Sequence, residues 1–160
     1  MTKRVELAVG SLVALGLALA WLLTHAHGGT TPPQQQGEPP DVSVADGAVA
    51  LGDVLVRVGV AARPIQAFQP VRYRVRAEVG GRPVPLEDAR VDFSMSMPMG
   101  DHRHALAPAA DGWYEATAVL PACASGHRRW YGDVTGTAAG KPLAARFQFD
   151  LSPDAPPGLE

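Results

Sequence analysis

The stretch Pro70-Val-Arg-Tyr-Arg-Val-Arg-Ala-Glu78 constrains the fold of this chain most. Val71, Tyr73, Val75 and Ala77 alternate with Arg72, Arg74, Arg76 and Glu78. A period of two places the apolar set on one face and the charged set on the other, which is the pattern of a half-buried β-strand. One such strand cannot bury its apolar face alone, so others must cover it. Val54, Val56, Val58 and Val60 alternate with Leu55, Arg57 and Gly59. Residues 89–97 read as a third strand with Val91 and Phe93 inward, and Tyr114, Ala116, Ala118 and Leu120 share a face of the next. Trp130 to Thr135 and Ala144 to Leu151 form a closing pair. Gly80-Gly81, Asp111-Gly112 and Gly140-Lys141 supply the turns. The class is therefore all-β: an antiparallel β-sandwich of about seven strands over residues 47–152. The Arg72, Arg74, Arg76 stripe falls on the solvated sheet face, where acids such as Asp92 or Glu115 would neighbour it across the strands.

The ends of the chain read differently. Lys3 and Arg4 precede an apolar run from Leu7 to Leu23, about long enough for one helix across a bilayer. The flanking positive charge keeps the N-terminus in the cytoplasm and sends the rest to the far side. Residues 1–27 are thus expected to be a membrane anchor, with a signal sequence cleaved after small residues such as Ala18-Leu-Ala20 as the competing reading. In both cases the domain lies in the periplasm, held to the inner membrane by a single pass or released from it. Residues 28–46 are rich in Pro, Gly and Gln and lack aromatics, so they read as a disordered linker. Residues 153–160 read as a frayed tail. A formal net charge of -2 gives no electrostatic case for nucleic acid.

Chemistry concentrates in Met95-Ser-Met97-Pro-Met99-Gly-Asp-His102-Arg-His104. The chain holds 4 methionines, and all but Met1 fall in this stretch. Thioether and imidazole are ligands that suit copper, with thioethers favouring Cu(I). Val91, Phe93, Met95, Met97 and Met99 also share one parity, so the same methionines read as the core face of an extended strand. Both readings stand on the sequence.

The succession of a valine-rich strand, a Pro64/Pro70 loop and an alternating strand ending in Gly80-Gly81-Arg-Pro83 has a likeness. It continues through Met97-Pro98-Met99-Gly100, Asp111-Gly112-Trp-Tyr114 and a Gly126…Trp130 strand. Over roughly residues 53–151 the chain resembles the YtkA-like domain, whose relatives include the FixH proteins linked to copper supply of cytochrome oxidase. The resemblance implies an immunoglobulin-like sandwich outside the cytoplasmic membrane behind a single N-terminal helix, and a role in copper handling that carries over to Met97, Met99 and the residues around Gly100. The chain departs from the family pattern at Cys123-Ala-Ser-Gly126-His127-Arg-Arg-Trp130, where the connection is longer.

That longer connection adds Cys123 and His127. Their i, i+4 spacing in a loop lets both side chains converge on one ion, and the 121–129 loop reaches the methionines if the 113–120 strand lies beside the methionine strand. The bland readings are a small buried Cys123 and a solvated His127. Cys123 is the single cysteine, so no intrachain disulfide forms. Trp130 is expected in the core between the sheets.

The metal candidates are thus Met95, Met97, Met99, His102, His104, Cys123 and His127, and the cofactor expected is copper as Cu(I). The leading function is a membrane-tethered copper-binding or copper-delivery domain that hands its ion to a membrane protein partner. The alternative is a non-metal assembly module supporting a membrane complex such as a terminal oxidase. An enzyme is not expected, because no carboxylate pair, paired nucleophile and base, or phosphate loop emerges. The order His…Cys…His…Met of a blue-copper carrier is absent, since the methionines precede Cys123.

Overall fold

The alternation at 71–78 forms the middle of a sheet. A computed structural model describes Gln35 and residues 37–152, so the expected membrane segment and the 153–160 tail lie outside the described residues. Among the described residues no helix is long and apolar enough to cross a membrane.

Strands β1 (Gly47–Leu51), β2 (Val54–Val60), β3 (Pro70–Val79), β4 (Arg82–Val84), β7 (Ala107–Pro108) and β8 (Tyr114–Val119) build one antiparallel sheet. Its order is β1-β2-β3-β8-β7, with β4 also paired to β3. The second sheet has the order β10-β9-β5-β6, from β5 (Leu86–Ser94), β6 (Arg103–Ala105), β9 (Arg129–Ala138) and β10 (Lys141–Asp150). The described residues therefore form an all-β sandwich. Among the described residues ten strands are present where about seven were expected, and the surplus consists of β4, β6 and β7, each of three residues or fewer. Strands that short carry too few residues to show a period.

The core lies between the sheets. Tyr73 of the first sheet meets Phe93 of the second at 4.4 Å between ring centroids and Phe149 at 5.3 Å. Tyr73, Phe93, Trp130, Phe147 and Phe149 are all essentially inaccessible. Side chains of this size contribute roughly 1.5–3 kcal/mol each on burial. Gly80 and Gly81 carry φ of 58° and 78° and close the two-residue turn between Val79 and Arg82. Positive φ at both central positions is what such a hairpin turn requires, and glycine adopts it at no steric cost.

The arginine stripe is paired with acids in its own sheet and just before β1. Arg74 Nη2 lies 2.7 Å from Asp46, Arg76 Nη2 lies 2.6 Å from Glu78, and Arg72 lies 3.7 Å from Glu115. The guanidiniums of Arg74 and Arg76 also stack on Trp113, each 4.7 Å from the ring. Asp92, the other acid expected to neighbour the stripe, belongs to the opposite sheet and pairs with Arg103 instead.

Two other expectations give way. The linker assigned by composition to 28–46 ends earlier, because its last part is seated on the sandwich. Val42 is fully buried, its N–H donates to Gln148 O at 2.8 Å, and Pro40 O accepts from Gln148 N at 2.9 Å. Pairing of this kind covers the free edge of β10, which an open sheet otherwise leaves exposed. The third strand ends at Ser94 and does not run to 97. Its register with β9 stops at Ser94↔Tyr131, and Phe93 N–H bonds His102 O to close a loop. Pro98 lacks the N–H a strand would need, and Gly100 sits at φ 96°.

Candidate functional site

Two connections meet at one end of the sandwich. The first is the loop between β5 and β6 that holds the methionines. The second is the crossing from β8 in one sheet to β9 in the other. The condition set for that meeting, β8 beside the methionine strand, is not the arrangement found: β8 pairs with β3 and β7. The second connection nevertheless reaches the methionines, because a chain passing between sheets must run over the end where β5 also stops.

Within that crossing, Cys123-Ala-Ser-Gly126 forms a turn closed by Gly126 N–H to Cys123 O at 3.0 Å, with Gly126 at φ 81°. The turn brings side chains 123, 125 and 127 together. Cys123 Sγ lies 3.0 Å from Met97 Sδ and 2.9 Å from Ser125 Oγ. Ser125 Oγ lies 2.8 Å from His127 Nδ1. Cys123 is half-buried, not the small core residue of the bland reading. Its thiol is held below the ordinary thiol range, first by the Ser125 hydroxyl and then by backbone N–H groups of Ser125 and His127. A thiolate so favoured is the form that binds soft metals.

The seven candidates therefore divide. Met97, Cys123 and His127 come together. Met95 and Met99 are half-buried and pack against the hydrophobic core, so for these two the core reading describes their position. His102 turns to the backbone, its Nε2 3.0 Å from Met99 O, and its ring meets Trp130 edge-on at 5.4 Å. His104 sits opposite Val91 in the β5–β6 pair, and its ring lies 5.9 Å from Phe93. Its Nε2 is buried with no hydrogen-bond partner among the described residues. Both histidines face the aromatic interior: His104 through the pairing of β6 with β5, and His102, just before β6, through its carbonyl accepting from Phe93 N–H. Trp130 is fully buried between the sheets, as expected.

Ser125 carried no signal in the sequence, because a serine in a loop is the commonest of residues. Only its place midway between Cys123 and His127 points to it. Beside the cluster opens a cleft of about 410 Å³, lined by Ala67, Ala122, Cys123, His127, Arg128 and Leu151 among others. Among the described residues no three His, Cys, Asp or Glu side chains gather closely enough to hold an ion. The cluster includes two of those types, and its other donor is the Met97 thioether.

No protein-family model matches the chain, and no curated protein does. Among solved structures, the crystal structure of an engineered protein at 1.98 Å is similar, with 23% identity and a TM-score of 0.41 over 60% of this chain. The chain spans 20% of that protein's length.

Proposed function

We propose that the chain is a membrane-tethered copper-binding domain on the periplasmic face of the inner membrane, which holds Cu(I) and delivers it to a membrane partner. The observation that carries this reading is the approach of Met97 Sδ to within 3.0 Å of Cys123 Sγ, with His127 joined to the same thiol through Ser125. Thiolate, thioether and imidazole form a donor set suited to Cu(I) and poorly suited to hard cations such as Mg²⁺ or Ca²⁺. Met97, Cys123 and His127 would hold the ion. The remaining candidates, Met95, Met99, His102 and His104, would shape the loop around it. The sandwich is read as immunoglobulin-like on the strength of the YtkA-like resemblance, and the anchor on the strength of Lys3, Arg4 and the apolar run that follows. We assign no catalytic role.

The test is competition with a chromogenic Cu(I) chelator. The chain should bind one ion, and Cys123→Ser or His127→Gln should each lower affinity at least tenfold, about 1.4 kcal/mol. The double variant His102→Gln/His104→Gln should bind within a few-fold of the parent. Absence of Cu(I) binding by the parent removes this reading.

The assembly-module alternative has one observation in its favour. Phe68 is 60% exposed and Val119 51% exposed, and they are near neighbours: Phe68 N–H bonds Leu120 O, and Val119 pairs with Pro70. An exposed aromatic beside an exposed valine is surface that a protein contact would cover. Retained association with a membrane complex in a chain that binds no copper would favour it.

A further inference from the structure

Among the described residues every sheet edge but one is covered or very short. The free side of β10 is taken by Pro40 and Val42. Strands β4 and β6 have three residues each and β7 has two, with Pro83 in β4 and Pro108 in β7. The exception is β1, the end strand of the first sheet. Its five residues, Gly47-Ala-Val-Ala-Leu51, hold no proline and no charge. Their register with β2 runs from Gly47↔Val58 to Leu51↔Val54 without a bulge. An edge lacking all of these devices is a template for another strand.

The hairpin fixes which backbone groups that edge presents. Leu51 and Val54 flank the two-residue turn Gly52-Asp53, with Gly52 at φ 64°. The pair beside such a turn exchanges both its backbone bonds, and bonded and non-bonded pairs then alternate along the ladder. Gly47, Val49 and Leu51 therefore turn their N–H and C=O groups to β2, while Ala48 and Ala50 turn theirs to the open side. Both alanines are exposed, and no other segment among the described residues bonds their backbone. Pro40 and Val42 run nearby but bond Gln148 of β10 instead. A groove of about 380 Å³, lined by Gln35, Glu38, Pro40, Ala48 and Ala50 among others, lies between that segment and β1.

We propose that β1 is a dimer interface: the edges of two copies of this chain pair antiparallel about a two-fold axis at Val49, with Ala48 of each copy facing Ala50 of the other. Each facing pair exchanges both its bonds, so this register uses every outward N–H and C=O of Ala48 and Ala50 on both strands. An edge whose free groups lie symmetrically about one residue is complementary to itself, which is the condition for a two-fold contact. The pairing also closes the assembly, since each copy spends its open edge on the other. A strand from a different protein would bring a second edge that something else must cover. The two methyl groups are too small to hold the strands apart. The inference needs no metal and stands apart from the copper reading.

The experiment is sedimentation equilibrium of the full chain in density-matched detergent, over a range of concentrations. The parent is expected to pass from monomer to dimer. Ala48→Lys/Ala50→Lys sets lysine against lysine in both facing pairs and should weaken association at least tenfold. Ala48→Glu/Ala50→Lys sets glutamate against lysine in both pairs and should associate at least as well as the parent. A parent that stays monomeric throughout overturns the proposal and leaves the edge to a strand of another protein. A dimer indifferent to the two lysines, or a Glu/Lys variant as dissociated as the Lys/Lys one, overturns it as well. Amide hydrogen exchange of the parent supplies a check that needs no variant. Exchange at Ala48 and Ala50 should slow as the protein is concentrated, whereas Val49, already bonded to β2, should be slow throughout. Exchange at Ala48 and Ala50 that stays fast in the concentrated sample would also overturn the pairing.

Discussion

Met97 Sδ and Cys123 Sγ lie 3.0 Å apart although 26 residues separate them in the chain. Met95 and Met99, two positions to either side, pack on the core instead. The three methionines therefore answer differently to replacement by leucine, which is close to methionine in volume and costs less than about 1.5 kcal/mol when repacked. Met97→Leu should leave the unfolding midpoint nearly unchanged while Cu(I) affinity falls at least tenfold, about 1.4 kcal/mol. Met95→Leu and Met99→Leu should keep affinity within a few-fold. Chelator competition on the three single variants checks this, and equal losses at all three positions would contradict the division.

Much of the fold was legible because the long strands advertise a period. The Val71–Glu78 alternation places Tyr73, Val75 and Ala77 inside, and each is buried. The site was legible in its residue types but less so in its grouping. Parity placed Met95, Met97 and Met99 on one strand face, yet strand pairing ends at Ser94, and in a loop parity no longer decides direction. His102 and His104 continue the methionine motif in the sequence. His104 is drawn inward by the pairing of β6 with β5 and His102 by the bond of its carbonyl to Phe93 N–H, and a pairing of three residues is too short to read from sequence. Val42 was hidden by composition: a lone apolar residue after a Pro/Gly/Gln tract reads as linker until an open strand edge is there to receive it.

Acid should weaken the fold through Asp150. Arg129 forks onto both its carboxylate oxygens, with Nη2–Oδ2 at 2.9 Å, and this holds the carboxyl below the usual carboxylate range despite partial burial. A carboxyl whose folded value is depressed contributes stability above its unfolded value, near 3.9, and loses it as pH falls through the folded value. The Asp150 side chain is 45% exposed, so solvent screening limits the contribution to at most about 1 kcal/mol. Asp150→Asn should therefore be less stable than the parent at about pH 7 and nearly equal to it at about pH 2.5. Denaturant titrations at the two pH values check this, and a gap that stays constant with pH would assign the effect to something other than the ion pair.

Gly132→Ala should be among the more damaging small changes in the second sheet. Gly132 pairs with both Phe93 and Phe147 across β9, and a Cβ there would run into the Phe147 ring. The ring is fully buried and has no room to withdraw. Overpacking of this kind costs typically about 1–3 kcal/mol. The contrast is Gly52→Ala, where a Cβ meets nothing within 4 Å and only the φ of 64° resists the change. Chemical denaturation should show the Gly132 variant losing at least as much stability as the Gly52 variant, with altered aromatic signals in the near-ultraviolet for the former alone. Unchanged aromatic signals in Gly132→Ala would contradict the clash with Phe147.

Phe68 should tolerate glycine, which an ordinary core phenylalanine would not. Its φ of 58° lies in the left-handed region, where a side chain with a Cβ costs roughly 1–2 kcal/mol. The Phe68 N–H to Leu120 O bond at 2.9 Å holds the backbone there, and the ring, 60% exposed, gains little from burial. Glycine removes the steric cost and adds about 0.5–1 kcal/mol of unfolded-chain freedom, so the two terms nearly offset. Phe68→Gly is expected to fall within about 1 kcal/mol of the parent, against about 3–5 kcal/mol for emptying a buried aromatic site. Urea titration of the two proteins checks this. A loss above about 2 kcal/mol would mean that the ring packs on the fold in solution, and it would withdraw Phe68 from any surface offered to a partner.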